Sequence, residues 1–484
     1  MKITLNENEN EENLANKDTY NDKIKRIFNE TCINKVIIKN LRNRELPRYI
    51  FEWLVSKYTE DGKLSPSNKM KLYELIEKHY PEQDKLEYYK YQIIKEKRQV
   101  EILNKYRVAL DTRSEEYKVY FPFFASESNN VHISENIVDE YKGLLMNGLW
   151  GIASISHDPR KSKPISISRF SPVQIEEIHL DKYINARKNF TISEWISLLI
   201  NTMGLNPETF STIYEKMYLI SRLIPYVEKN FNLIEMGPKG TGKSYLHKNI
   251  STHVHVIGGG TISRAQLFFH LAKREKGILL NNDVVVLDDF SNIKIRGANE
   301  VIGKLKNYMA DGIIDVGSFK EPGVASIVIM GNVPLTATGV PATNFYFRNL
   351  PNEMQESAFL DRISAFIPGW ELHPIRQADL SNNYGLIGDW FSEILHSLRR
   401  KSFNPQIEEM INFYGEKARR RDILHMINTA SGMIKLLFPD AVMDIDDWNL
   451  IARFSVNLRQ NVLDQLKQID PEYRDISLNY QITE

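Results

Sequence analysis

Gly237-Pro-Lys-Gly-Thr-Gly-Lys-Ser244 follows the apolar run Phe231-Asn-Leu-Ile-Glu-Met236 and precedes a segment able to continue as a helix, Tyr245 to Ile250. The spacing is G-x-x-x-x-G-K-[ST] in the strand–loop–helix setting that a phosphate-binding loop requires. Glycines allow backbone N–H groups to turn inward around phosphates, and the start of the following helix adds its dipole. Gly237, Pro238, Lys239, Gly240, Thr241 and Gly242 form the expected cradle. Lys243 supplies a point charge near the β/γ-phosphates, and Ser244 offers a hydroxyl to Mg²⁺. A Gly/Ser-rich turn of no consequence is the competing reading, and the intact pattern with both flanks argues against it. The loop predicts a nucleoside triphosphate ligand, ATP with Mg²⁺.

Working outward, apolar strand-like runs alternate with helical segments from Phe231 to about Pro368, which predicts an α/β core with a mostly parallel sheet. Val284-Val-Val-Leu-Asp288-Asp289 is a buried-strand pattern ending in paired carboxylates. Asp288 is expected to hold Mg²⁺ through its water shell and Asp289 to orient the attacking water; a solvated acidic turn is the alternative. Ser326-Ile-Val-Ile-Met-Gly-Asn332 ends a second buried strand in an amide, suited either to the γ-phosphate and its attacking water or to capping a loop. Arg362, in Leu360-Asp-Arg-Ile before the run Ile363 to Ile367, is placed to reach a neighbouring subunit's nucleotide. A structural arginine–carboxylate pair competes with that reading. Arg419-Arg-Arg-Asp422 opens a helix, from which Arg421 is expected to contact the phosphates from a lid, against a merely solvated basic helix start. In this order the set reads as an AAA+ P-loop NTPase module with a C-terminal helical lid, catalytic at Lys243, Asp288, Asp289, Asn332, Arg362 and Arg421.

At 484 residues the chain is too long for one core, and its 42% hydrophobic and 26% charged content is that of a soluble globular protein. Formal net charge is zero, so any contact with nucleic acid has to come from a local patch. The single cysteine, Cys32, excludes an internal disulfide and fits a reducing compartment. With no 18-residue apolar run and no signal-peptide layout, a cytoplasmic protein without a membrane partner is expected.

Residues 1–18 are Asn- and Glu-rich and are expected to stay disordered. Residues 19–105 read as a helical N-terminal domain, with helices over Arg48 to Tyr58, Ser67 to His79 and Lys85 to Lys105. Residues 106–190 read as a small β-rich domain, through pieces such as Tyr117 to Phe121 and Leu149 to Ile155. Thr191-Ile-Ser-Glu194 is a capping box opening the 191–380 ATPase core with its leading helices. From Tyr384 onward the reading is all helix: Trp390 to Lys401, Gln406 to Tyr414, Arg421 to Leu437 and Asp446 to Gln468. These form the 381–468 lid, with 469–484 as a tail.

Several stretches resemble the Lon-related AAA+ family of BREX phage-defence systems, BrxL. They are Asn232 to Ser244, Gly258-Gly-Gly-Thr-Ile262, Phe359-Leu-Asp-Arg-Ile-Ser-Ala-Phe-Ile-Pro-Gly-Trp370, Asn383-Tyr-Gly-Leu-Ile387 and Arg421-Asp-Ile423, with weaker likeness at Lys35 to Leu41 and Gly148 to Ile152. The resemblance implies a multimeric, DNA-binding ATPase of phage defence. Its expected partners are further copies in a hexameric or heptameric ring, single or stacked, then DNA and other defence proteins, in an architecture similar to minichromosome-maintenance helicases. Three departures stand out. Relatives carry a C-terminal Lon-like domain, whereas only residues 469–484 follow the lid, so proteolysis is not expected. The family's usual Asp-Glu is Asp288-Asp289 here, which predicts looser water positioning. The segment Gly312 to Glu321, where such ATPases put a pore-facing hairpin, offers only Lys320 as a cation.

Affinity for DNA is mainly phosphate neutralisation. One patch is Lys35, Lys39, Arg42, Arg44 and Arg48; the other, Lys85 to Arg107, includes Lys90, Lys95, Lys97 and Arg98 with Tyr88, Tyr89, Tyr91 and Tyr106 interleaved. Tyrosines stack on single-stranded bases, but an amphipathic helix packing its tyrosines inward with its charges solvated fits this second patch, taken alone, slightly better. The resemblance favours DNA. The rival function is a nucleotide-switched scaffold or protein-remodelling ring that does not track DNA.

Overall fold

The computed structural model describes residues 20–483 apart from 44, 81, 112–114, 122–130, 161, 176–177 and 273. The 1–18 segment and Arg44 therefore lie outside the described residues. The chain divides into two compact units, Asn40–Ile178 with Ile387–Trp390, and the remainder. No helix among the described residues is long and apolar enough to cross a membrane.

In the first unit, helices α1 (Arg48–Tyr58), α2 (Pro66–His79) and α3 (Leu86–Ile94) precede strands β1 (Val100–Asp111), β2 (Glu116–Tyr120), β3 (Val131–Ile133), β4 (Leu149–His157) and β5 (Ile165–Pro172). The strands form one sheet in the order β2-β1-β4-β5-β3. The helix expected to run to Lys105 ends at Ile94, and the boundary expected at residue 105 falls inside β1. Ile102, Tyr106 and Val108 are buried at even spacing, the period of a strand, and this overrides the basic, helix-favouring run before them. Ile93 of α3 shares one core with Ile102, Ile155 and Phe170, so helices and sheet are a single body.

In the second unit, α4 (Ile192–Thr202) opens with the expected Thr191/Glu194 capping box, and α5 (Ile213–Ser221) carries a second one. Next come β6 (Leu233–Gly237), α6 (Lys243–Asn249), β7 (Val254–Ile257), β8 (Val284–Leu287), α7 (Ala298–Asp311) and the hairpin β9 (Ile313–Val316) and β10 (Phe319–Pro322). β11 (Ser326–Asn332) and β12 (Ala365–Pro368) complete a five-stranded sheet of order β12-β6-β11-β8-β7, parallel throughout. In order of appearance these strands read 5-1-4-3-2. Leu233, Ile234, Val284, Val286, Val328 and Ile329 are each 0% exposed, as strands covered on both faces must be.

The C-terminal part holds α8 (Gly388–Leu398), α9 (Asn404–Met410), α10 (Arg420–Leu437) and α11 (Ile445–Leu466). It is not all helix. β13 (Ile411–Glu416) pairs antiparallel with β14 (Ser477–Ile482), so residues expected to be a tail are a paired strand. The cause is local: Ile411 and Phe413 are buried while Asn412 and Tyr414 are exposed, a period of two that no helix satisfies. Tyr384–Leu386 likewise pairs with Cys32–Asn34.

Candidate functional site

The loop between β6 and α6 is shaped by two glycines above all. Gly242 has φ +78, a conformation other residues seldom take, and a Cβ there would come within 2.4 Å of Ile375 Cδ1. A Cβ on Gly237 would meet the Gly369 backbone at 2.7 Å, so β6 and the Pro368-Gly369-Trp370 turn fit only as glycine on glycine. The loop folds around Lys243, whose Nζ donates to the carbonyls of Pro238 (2.7 Å) and Gly237 (3.2 Å). Burial holds the Lys243 pKa below the usual lysine range, while the Glu235 carboxylate pulls the other way.

Ser244 Oγ donates to Asp288 Oδ1 at 2.7 Å, and Lys248 Nζ lies 3.6 Å from Asp288 Oδ2. The parallel register explains the meeting: Asp288 follows β8, and both β8 and β6 deliver their C-terminal ends to one edge. Asn332, the last residue of β11, stands opposite Gly237 at the start of the loop. Asp289 is in the left-handed region (φ 50), and its carboxylate accepts from Ser291 Oγ (3.1 Å) and Asn292 Nδ2 (2.6 Å). It thus holds the turn after β8 and is not bonded to the loop.

Arg362 and Arg421 are elsewhere. Arg362 precedes β12, and its carbonyl accepts from Asn232 Nδ2 (3.1 Å) just before β6 begins. The five steps of β6 from Asn232 to Gly237 put about 16 Å between that point and the loop. Arg421 is the residue expected to contact the phosphates from the lid. It is ion-paired with Asp361, which also accepts from Arg459 Nη2 at 2.8 Å. Arg459 in turn holds Asp422 (2.6 Å) and the Ile363 carbonyl (2.5 Å). Burial first, and then the neighbouring Arg421 charge, lower the Arg362 pKa, so the two guanidinium groups are close. Arg362 donates to the Ala358 carbonyl through Nη1, and its buried Nε finds no partner among the described residues.

Two supports were not singled out from sequence. Arg222 of the turn after α5 grips Glu235 in the middle of β6 (Nε–Oε2 3.0 Å, Nη2–Oε1 2.6 Å) and donates to the Thr241 carbonyl at 3.0 Å. A carboxylate 0% exposed inside an apolar strand demands a cation, and that was the available signal. Arg222→Met is expected to cost about 3–5 kcal/mol of stability, because it leaves Glu235 buried and uncompensated. The double variant R222M/E235L should regain most of that loss in a denaturant titration. It should not regain nucleotide affinity, since Thr241 has lost its brace.

His247 of α6 is the second support. It is 0% exposed, shares a 2.8 Å hydrogen bond with the Tyr226 hydroxyl, and has its pKa pushed down to about 3 by burial and then by the Arg222 charge. Its unfolded-state value is about 6.5. The unfolded chain takes up this proton first, so stability is full above that value and falls as pH drops toward 3, by up to ~1.4 kcal/mol per pH unit. His247→Gln should flatten the slope of unfolding free energy between about pH 6 and 4; an unchanged slope would remove His247 from the acid response.

The DNA candidates separate by burial. Lys35 is 1% exposed and donates to the Leu386 carbonyl at 2.8 Å, so it is a structural lysine and no phosphate contact. Lys39 bonds Asn382 (3.1 Å), Arg48 pairs with Glu52 (2.7 Å) and Lys90 with Glu87 (2.9 Å). Arg42, Lys95, Lys97 and Arg98 are exposed, Arg98 beside Glu96 at 3.0 Å. Of the tyrosines, Tyr88 and Tyr91 face solvent at 57% and 53%, whereas Tyr106 is core and Tyr89 packs against it. Lys320 lies in the hairpin β9/β10, exposed and in register with Asp315.

Residues 165–479 match the family profile described as Lon-like protease BrxL-like, ATPase domain, and residues 26–157 match BREX system Lon protease-like protein BrxL N-terminal. The chain is 28% identical over 465 residues to the Lon-like protease BrxL of Escherichia coli O9:H4 (strain HS), covering 94% of this chain and 66% of the relative. It is 30% identical over 466 residues to the Lon-like protease BrxL of Bacillus cereus (strain H3081.97), covering 94% of this chain and 68% of that one. The chain thus spans about two thirds of the length of the curated relatives it matches.

Proposed function

The chain belongs to the BrxL family and carries its ATPase domain, and from that premise we propose an AAA+ ATPase that assembles into a ring on DNA in phage defence. Ser244 and Asp288, hard oxygen donors already 2.7 Å apart, fit Mg²⁺. When bound, that ion would neutralise charge on the phosphate oxygens. Lys243 moves from its loop carbonyls to the β/γ-phosphates, and Asn332 holds the attacking water or the γ-phosphate. Asp289 orients that water once released from Ser291 and Asn292. The chemistry is attack of water on the γ-phosphate, helped by positioning and electrostatics.

One observation carries the ring: Arg362 and Arg421 lie together at the sheet end opposite the loop, Arg362 with a buried N–H still to be accepted. Neither serves its own chain's triphosphate; both suit the next subunit's. The DNA part rests on the family and on exposed Lys95, Lys97 and Arg98 beside Tyr88 and Tyr91. The hairpin favours the second reading, a remodelling ring without DNA. There Lys320 stands opposite Asp315, and Glu321 pairs with Lys276 at 2.8 Å, leaving little net charge to grip phosphates. Electron microscopy with a slowly hydrolysed ATP analogue tests the ring. Binding to single- and double-stranded DNA across a salt series tests the partner: affinity should fall linearly in log–log form. No binding at roughly 50 mM salt would select the second reading.

A further inference from the structure

His253, Asp283 and His396 each bring a ligand atom within 4.8 Å of the other two. His253 ends the turn before β7, Asp283 immediately precedes β8, and His396 lies on α8. His396 Nδ1 is 2.6 Å from Asp283 Oδ2, and His253 Nε2 is 2.7 Å from Glu393 Oε1. Glu393, one turn before His396 on the same face of α8, lies outside the set of three whose ligand atoms are mutually within 4.8 Å and joins it through its contact with His253. The two imidazoles stack with centroids 4.3 Å apart. Arg399 is anchored on the carbonyls of Pro225 and Val324 and meets Asp283 at Oδ1 (3.6 Å), leaving Oδ2 to His396.

We propose that His253, Asp283, Glu393 and His396 bind one divalent transition ion of zinc's class, fastening α8 to the base of the parallel sheet. Two imidazole nitrogens with two carboxylate oxygens are a zinc donor set, whereas Mg²⁺ prefers oxygen alone. Zinc bonds of about 2.0–2.2 Å set tetrahedral donors roughly 3.4 Å apart. The two hydrogen-bonded pairs would open by less than about 1 Å, the wider pairs, up to 4.8 Å apart, would close by up to about 1.4 Å, and the stacked rings would turn so that both planes meet at the ion. The backbone is already fixed without an ion: Ser251 Oγ accepts from His253 N (3.1 Å), and Ser392 Oγ bonds Ser251 Oγ (2.9 Å) and Thr252 N (3.0 Å). Side-chain exposures of 9% for His253, 17% for Glu393, 8% for Asp283 and 28% for His396 keep the cluster dry yet reachable. The site is distinct from the Mg²⁺ position, since β8 separates Asp283 from Asp288 by about 16 Å.

The test uses the full chain, stripped with a chelator and titrated with Co²⁺ in excess Mg²⁺, reading visible absorption, then displacement by Zn²⁺. One Co²⁺ per chain is expected, unchanged in Lys243→Ala. Affinity should fall about 100-fold or more in His253→Ala/His396→Ala. Zn²⁺ should raise the melting temperature of wild type and Lys243→Ala but not of the double variant. If the double variant fails to fold, Glu393→Gln and His396→Gln serve singly. Absence of a stoichiometric Co²⁺ spectrum in wild type, or wild-type affinity in both single variants, overturns the proposal.

Discussion

Lys243→Ala is expected to take ATP binding below the range of a direct titration and to abolish hydrolysis. The side chain is 7% exposed and its three ammonium protons are the buried cationic element of the loop, Lys239 being exposed, and they are now shared with the Pro238 and Gly237 carbonyls. Two consequences of its loss add. The phosphates forfeit a desolvated charge-assisted contact, each worth about 1.5–3 kcal/mol. The two carbonyls, left without their donor, also turn electronegative edges toward an incoming polyanion. Lys243→Arg should rescue poorly, because a planar fork does not replace a compact ammonium in a cradle cut to its size. The measurement is titration with a fluorescent ATP analogue beside a phosphate-release assay. Unchanged affinity in Lys243→Ala would refute the loop assignment outright.

The parallel core was legible because its strands are buried on both faces, so Val284 to Leu287 and Ile327 to Met330 are continuous apolar runs that need no alternation to be recognised. The loop was legible because Gly242 and Lys243 are fixed by local geometry. Contacts that depend on distant chain were not. Lys35 looked like a phosphate contact until its carbonyl partner, 351 residues away, buried it. Glu235 announced the need for a cation without naming Arg222. Arg421 was read as contacting the phosphates because the helix it opens is a lid helix. Its direction is set instead by Asp361, a residue of the segment before β12, and no spacing reports that pairing. The His253, Asp283, Glu393 and His396 group was hidden for the same reason, since only the last two are neighbours on one helix. β13 and β14 show the converse: the alternation at Ile411 to Tyr414 was present, and a helical expectation for the whole region outweighed it.

Arg362→Ala is expected to leave ATP affinity nearly intact while lowering hydrolysis by about 10³-fold or more, the scale on which arginines supplied in trans act on phosphoryl transfer. The fold tolerates the change: the side chain makes one hydrogen bond to the Ala358 carbonyl, and the segment stays pinned by Asp361 to Arg459. Turnover alone does not distinguish trans delivery from a structural role, but mixing does. A Lys243→Ala chain keeps Arg362, and an Arg362→Ala chain keeps its loop. Where the two adjoin in the right order, one complete site forms from two dead parents. Mixed assemblies should therefore recover a sizeable fraction of wild-type activity, rising and then falling with the mixing ratio. Arg421→Ala should complement Lys243→Ala in the same way, because the two guanidinium groups lie close together. A mixture as inactive as its parents, under conditions where exchange of subunits is demonstrated, would mean that Arg362 completes no neighbour's pocket. The ring reading would then lose the observation that carries it.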